Sequence, residues 1–374
     1  MIDSEESALR ILPGGRVAES CGATAAGALR RRKALSRRHI VDGILNGDRA
    51  ILAQAITLIE SSRAADRELA EQIIEDCLPC SGNSLRVGIT GVPGAGKSSL
   101  IEALGKFLIA EYSEKVAVLA VDPSSQIAGG SILGDKTRMT SLASSEMSFI
   151  RPSPSRGSYG GVAQRTREAM LLCEAAGYTT ILVETIGVGQ SETAVHDMVD
   201  VFLLIMLAGT GDELQGIKRG VMELADLVAI NKADGQNLVA AERAVAETKN
   251  ALHFFPSSPS GWTARAVACS AHTGRGVPEL WNCVRESAAL TKANGWFDLN
   301  RREQRRRWMR EILEQGLKQL FSAHPLIRLR MEAFEREVME LRTTPLRVAR
   351  ELLEMYSNAG SGHTLRIESP NDSE

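Results

Sequence analysis

No stretch of this 374-residue sequence is apolar for long enough to cross a bilayer. The longest apolar run, residues 199–209, contains Asp200 and falls far short of the roughly 20 residues a spanning helix requires. Charge of one sign is also missing. Lys plus Arg number 44 against 46 Asp plus Glu, a net charge of −2, so composition gives no support to a nucleic-acid binder. Six cysteines spread over so long a chain do not make a disulfide framework. The first twenty residues carry Asp3, Glu5 and Glu6 and lack a basic-then-apolar start, so neither a secretory signal nor an acid-poor transit peptide is visible. The predicted address is the cytoplasm.

What is present is an ordinary globular composition, 44% hydrophobic and 24% charged, long enough for about two to three units. Residues 1–38 read as a partly disordered leader with a basic cluster at Arg30, Arg31, Arg32, Lys33, Arg37 and Arg38. Residues 39–82 read as a helical segment, broken into a pair by Asn46, Gly47 and Asp48. From 83 to 292, short runs apolar on both faces (85–90, 115–121, 147–151, 179–183, 201–207, 227–230 and 266–269) alternate with helix-length intervals. That pattern predicts an α/β fold with a doubly wound, mostly parallel sheet. Residues 293–357 are helical in texture, punctuated by Pro325 and Pro345, with an apolar stripe and many arginines, and 358–374 read as a flexible tail.

Within the α/β region, GVPGAGKS fits the phosphate-loop pattern G-x-x-x-x-G-K-[ST] at every fixed position, directly after a strand and before an apolar helix. Gly91, Val92, Pro93, Gly94, Ala95 and Gly96 are predicted to wrap a phosphate with inward-pointing N–H groups, beside Ser99 and the positive end of the helix. Lys97 would hold the β- and γ-phosphates, and the Ser98 hydroxyl would ligate Mg²⁺.

More than a hundred residues later, another strand ends in Asn231, Lys232, Ala233 and Asp234, the pattern N-K-x-D. A carboxylate there accepts from the ring N–H and 2-amino group of guanine, donors that adenine does not offer, so GTP is favoured over ATP. The last strand runs into Ser270, Ala271 and His272, a turn placed to contact the guanine carbonyl. Three acids, Asp122, Asp135 and Glu184, are placed to converge on one end of the sheet as magnesium ligands, and Gly187 can offer its N–H to a γ-phosphate.

GVPGAGKS, VDPSS, GGSILGDKTRM, SPSRGSYGGV, ETIGVGQSE, LAGTGDELQGIKRG and NKADG, in this order, resemble the MeaB/ArgK/MMAA-type P-loop GTPases over roughly residues 40–355. The resemblance implies that Lys97 and Ser98 bind phosphate and magnesium. It further implies that Asp122 and Asp135 serve the magnesium shell and first switch, and that Glu184, Gly187 and Gln190 form the second. An additional nucleotide-responsive segment matches Asp212, Glu213, Gln215 and Lys218. Such proteins are homodimeric through their C-terminal helices. They act as GTP-hydrolysing chaperones that gate adenosylcobalamin loading and protect a B12-dependent acyl-CoA mutase, with an adenosyltransferase as a further partner. Methylmalonyl-CoA mutase is the expected client, with isobutyryl- and 2-hydroxyisobutyryl-CoA mutases as others.

Two other classes stay open on sequence. A nickel-type metallochaperone is suggested by the C-x-x-C spacing of Cys77 and Cys80, although no second pair or nearby histidine completes a four-ligand site. A transport-associated ATPase or kinase would need adenine, against which NKAD argues.

Overall fold

The structure is a computed structural model that describes residues 36–61, 63–121, 139–152, 159–185, 191–208, 219–256 and 258–360. Three helices come first: α1 (Arg37–Leu45), α2 (Arg49–Glu60) and α3 (Ala64–Cys77). The expected break after α1 is present, and Asp48 caps α2 by accepting from the Ala50 and Ile51 amides at 2.8 and 3.1 Å. The sequence pattern predicts only a pair. A second break, after Glu60 and before Ala64, divides the remainder, because Ser61 leaves helical geometry, its hydroxyl donating to Asp66 and accepting from the Arg63 amide.

The α/β region then runs β1 (Leu85–Gly91), α4 (Lys97–Tyr112), β2 (Val116–Val121), α5 (Thr140–Ala143), β3 (Ser148–Arg151), α6 (Tyr159–Ala175), β4 (Thr180–Thr185), α7 (Ser191–His196) and β5 (Val201–Leu207). It closes with α8 (Arg219–Leu224), β6 (Leu227–Asn231), α9 (Leu238–Leu252), β7 (Arg265–Ala268) and α10 (Val277–Ala293). All seven strands are parallel, in the order β3-β2-β4-β1-β5-β6-β7. The expected parallel sheet is thus present, and the chain reverses its winding beside β1, the central strand.

Strands buried on both faces explain the near-continuous apolar runs. Val87, Ile89, Leu203 and Ile205 pack under Leu100, Leu104 and Leu108 of α4 and Trp281 of α10, while Leu204, Met206, Val228 and Ile230 pack on the opposite face with Met222 and Ala241. Register brings Ile89 level with Glu184 and Leu207 level with Asn231, so several strands end together at one edge.

The C-terminal helices are α11 (Trp296–Ala323), α12 (Pro325–Met339) and α13 (Pro345–Gly360). Both prolines stand at helix starts, where the missing N–H costs nothing. Ile327, Phe334, Val348 and Leu352 form a small core of their own between α12 and α13. Among the described residues, no helix is long and apolar enough to cross a membrane.

Candidate functional site

The carboxyl edge of the sheet collects four strand ends: Gly91 of β1, Glu184 and Thr185 of β4, Asn231 of β6 and the Cys269–Ser270 turn after β7. Chain topology dictates this, since ligands of open α/β sheets bind outside the carboxyl ends where the winding reverses. Thr185 and Thr90 brace the two central strands there, hydroxyl to hydroxyl at 2.8 Å.

The loop from Gly91 to Gly96 needs its glycines for definite reasons. A Cβ on Gly91 would stand 2.4 Å from the Ile205 carbonyl oxygen, and the backbone has φ +154°. At Gly96, φ is +87°, and an added Cβ would stand 2.6 Å from Nδ2 of Asn231. The loop and the N-K-x-D strand therefore touch at a point that only glycine permits.

Asn231 is the pivot of this contact. Its side chain is buried, donates to the Ala95 carbonyl at 2.8 Å and accepts from the Ala271 amide at 3.2 Å. One amide group thus ties the phosphate loop to the turn after β7. Asp234 accepts a hydrogen bond from the Ser270 hydroxyl. Lys232 adopts a left-handed backbone, φ 60°, an uncommon conformation for a residue with a side chain, held where β6 turns toward the site.

A cavity of about 720 Å³ lies between these parts, lined by Gly96, Ser99, Asn231, Lys232, Asp234, Ala271 and His272. Its size suits a nucleotide-sized ligand. Glu102, Lys106, Thr273 and Gly274 also line it and were not anticipated from sequence. Thr273 and Gly274 continue the Ser270–His272 turn, and extending that motif by two residues is the signal that would have found them.

At the other end of the loop, the Lys97 ammonium donates to the carbonyls of Gly91 and Val92 at 2.8 and 3.3 Å. Burial pulls its pKa down, while the carboxylates of Glu184 and Glu192 oppose the shift. The Ser98 hydroxyl donates to Glu184 Oε1 at 2.9 Å, and Glu184 is buried. Two hard oxygen atoms thus stand side by side, the donor type that Mg²⁺ prefers. Of the other expected site residues, Asp122, Asp135, Gly187, Gln190, Asp212, Glu213, Gln215 and Lys218 lie outside the described residues.

Cys77 is buried, its thiol pushed up to about 11, first by burial and then by the charge of Asp76, whereas Cys80 is exposed. Among the described residues, no group of three or more His, Cys, Asp or Glu side chains is placed to hold a metal.

The family profile described as "Methylmalonyl Co-A mutase-associated GTPase MeaB" matches residues 52–325. "GTPase ArgK" of Escherichia coli is 50% identical over 269 residues, covering 72% of this chain and 81% of its own length. The mouse protein "Methylmalonic aciduria type A homolog, mitochondrial" is 43% identical over 326 residues, covering 84% of this chain and 78% of its own. A crystal structure described as an LAO/AO transport system kinase matches with a TM-score of 0.69 at 38% identity, over 86% of this chain and 97% of that one.

Proposed function

Because the chain belongs to the MeaB family of methylmalonyl-CoA mutase-associated GTPases, we propose that its GTP hydrolysis gates adenosylcobalamin loading and protects a B12-dependent acyl-CoA mutase. Methylmalonyl-CoA mutase is the first choice of client. The observation that carries the nucleotide half of this reading is the one cavity in which Asp234, Lys232, Ala271 and His272 meet Gly96 and Ser99.

In this reading Asp234 accepts from guanine, with Ser270 holding its carboxylate in place, and the Ala271 and His272 backbone faces the base carbonyl. Asn231 keeps the base corner and the phosphate loop at fixed separation. Lys97 exchanges its two loop carbonyls for phosphate oxygens. Ser98 and Glu184 would hold Mg²⁺ together with Asp122 and Asp135. When bound, Mg²⁺ supplies neutralisation of the charge carried by the phosphoryl oxygens during in-line attack by water. Gly187 and Gln190 form the second switch, and the segment with Asp212, Glu213, Gln215 and Lys218 reports nucleotide state to the mutase.

The C-terminal helices supply the homodimer contact. Met309, Ile312, Leu313, Leu317 and Leu320 are all exposed and recur along α11 at three- and four-residue spacing, an apolar stripe of the kind an interface covers. An adenosyltransferase is a further partner in this scheme, and the cytoplasm its setting.

Turnover and binding with a purified mutase test the coupling. Nucleotide-state-dependent affinity for the mutase, together with faster GTP hydrolysis in its presence, is the expected result. Equal affinity of the GDP and GTP-analogue forms, with turnover unchanged, overturns it. Base recognition is tested separately by Asp234→Ala. Two hydrogen bonds to a carboxylate are worth about 1.5–3 kcal/mol each, so GDP affinity should fall at least about a hundredfold. ATP uptake should stay where it was. Competition against labelled GDP reads both numbers, and wild-type protein from which ATP displaces GDP as well as GTP does would favour an adenine-nucleotide enzyme instead.

A further inference from the structure

Glu102 lines the nucleotide-sized cavity from the second turn of α4. It follows Ser98 by four residues, which puts it on the same face of the helix and about 6 Å farther along the axis. Its Oε1 accepts from the Ser141 amide at 3.1 Å and also from the Ser141 hydroxyl. Burial alone would raise the Glu102 carboxyl, but the Ser141 hydroxyl and amide, the Lys106 charge and the Leu142 amide outweigh it and hold it below the usual range. The acceptor is therefore charged, and hydrogen bonds to a charged acceptor are about twice as strong as neutral ones.

Ser141 belongs to α5, which is fixed on both sides. Met139 and Leu142 are fully buried in the core that they share with Leu104 and Leu108 of α4. Behind them, the Leu142 carbonyl accepts from the Ser148 hydroxyl, and the Ser145 carbonyl accepts from Arg49 of α2 at 2.8 Å. This short turn is thus a post tied to α4 through Glu102 and to α2 and β3 from the rear.

The post has a bearing on the metal end of the site because of where it falls in the chain. It is the first described element after β2, and residues 122–138 between them carry Asp122 and Asp135, the acids that the function proposed above assigns to magnesium beside Ser98 and Glu184. Only six residues separate Asp135 from Ser141 in sequence, and only one helical turn separates Glu102 from Ser98. The bond between Glu102 and Ser141 therefore fixes how far the chain that follows Asp135 can stand from the Ser98 hydroxyl.

We propose that Glu102 is a positioning residue for the magnesium and phosphate end of the nucleotide site, holding the chain after Asp135 one helical turn behind Ser98 through its two hydrogen bonds to Ser141. It acts through Ser141 and contacts neither nucleotide nor metal. This inference rests on the nucleotide reading above and names a residue that tunes the magnesium response of that site.

Titration of the full chain with a non-hydrolysable GTP analogue, once with magnesium and once with EDTA, reads how far the ion tightens binding. Ser141→Ala removes one of the two donors and should cut that gain about threefold, while Glu102→Ala removes both bonds and should cut it about tenfold, the scale of one hydrogen bond to a charged group. Glu102→Gln keeps an acceptor oxygen for both donors and should recover most of the loss. The two alanine losses should not add, so the double variant should be no worse than Glu102→Ala. GDP binding by Ser141→Ala in EDTA should equal that of wild type, which shows that the fold is intact. Additive losses, a Glu102→Gln variant as weak as Glu102→Ala, or an undiminished magnesium gain in Glu102→Ala overturns the proposal while wild-type GDP binding stands. Wild-type protein that takes up no GDP overturns the nucleotide reading and this inference with it.

Discussion

Lys97→Ala is expected to lower GTP turnover by at least about 10²–10³-fold, the usual cost of removing one aligned charge-stabilising donor. Nucleotide affinity should fall with it. The ammonium already sits inside the loop, 2.8 Å from the Gly91 carbonyl and 3.3 Å from that of Val92, where the backbone curls to surround a phosphate. Its position is fixed by α4, whose first residue it is, and by the left-handed Gly96 before it. Burial disfavours the charge, and Glu184 and Glu192 restore part of it. This cation is held ready at some cost, and a phosphate oxygen is a better partner for it than a neutral carbonyl. Alanine leaves the glycine geometry untouched, so thermal unfolding should change little. Lys97→Arg should not rescue turnover, because a planar fork cannot occupy the space of a compact point charge. Steady-state kinetics and calorimetry with GDP decide the matter. Unchanged nucleotide uptake in Lys97→Ala would remove the basis for assigning this cavity to GTP.

Much of that site is legible in one dimension. The phosphate loop is contiguous, and its chemistry depends on backbone geometry that glycine, lysine and serine announce by type and spacing. Strand positions are legible for a similar reason: a parallel strand buried on both faces has nothing to do but be apolar, and all seven expected runs lie within two residues of β1–β7. The breaks at Pro325 and Pro345 follow from a missing N–H.

Other features arise from sheet order and could not be read along the chain. Asn231 reads as part of a base-recognition motif, yet its side chain bonds the phosphate loop, 136 residues away, because β1, β5 and β6 lie side by side. Glu102 and Lys106 are one turn apart on α4 and look like an exposed helical pair, but the last turn of the sheet faces them across the cavity. The arginines of α11 read as heavy charge on an arm that either packs on the domain or forms a subunit interface, with nothing in the sequence to separate one arginine from the next. Arg302, Arg305 and Arg306 are exposed, whereas Arg301 is 6% exposed and reaches back to the start of the sheet.

Arg301 carries the second large effect: Arg301→Ala should destabilise the chain by about 3–5 kcal/mol, the cost of leaving a buried carboxylate without its partner. The guanidinium grips Asp200 through both oxygens at 2.7 Å and donates to the carbonyls of Gly82 and Ser84. Asp200 also accepts from the Arg86 amide at 2.8 Å, and the Arg86 side chain grips Glu174 at 2.9 Å twice. This network fastens α11 to β1, β5 and α6 at once. Burial alone would raise the Glu174 carboxyl, but Arg86, the Ser84 hydroxyl and the Gly82 amide outweigh it and hold it below the usual range. A lowered carboxyl contributes stability that is full above its unfolded value, near pH 4.5, and is lost as pH falls through the folded value. Wild-type protein should therefore loosen at this edge in acid. Asp200→Asn in the Arg301→Ala background should recover part of the loss, since it removes the stranded charge. Urea unfolding reads these effects as shifts in midpoint at constant slope. A midpoint for Arg301→Ala within about 0.5 kcal/mol of wild type would mean that the network does not fasten α11 to the sheet.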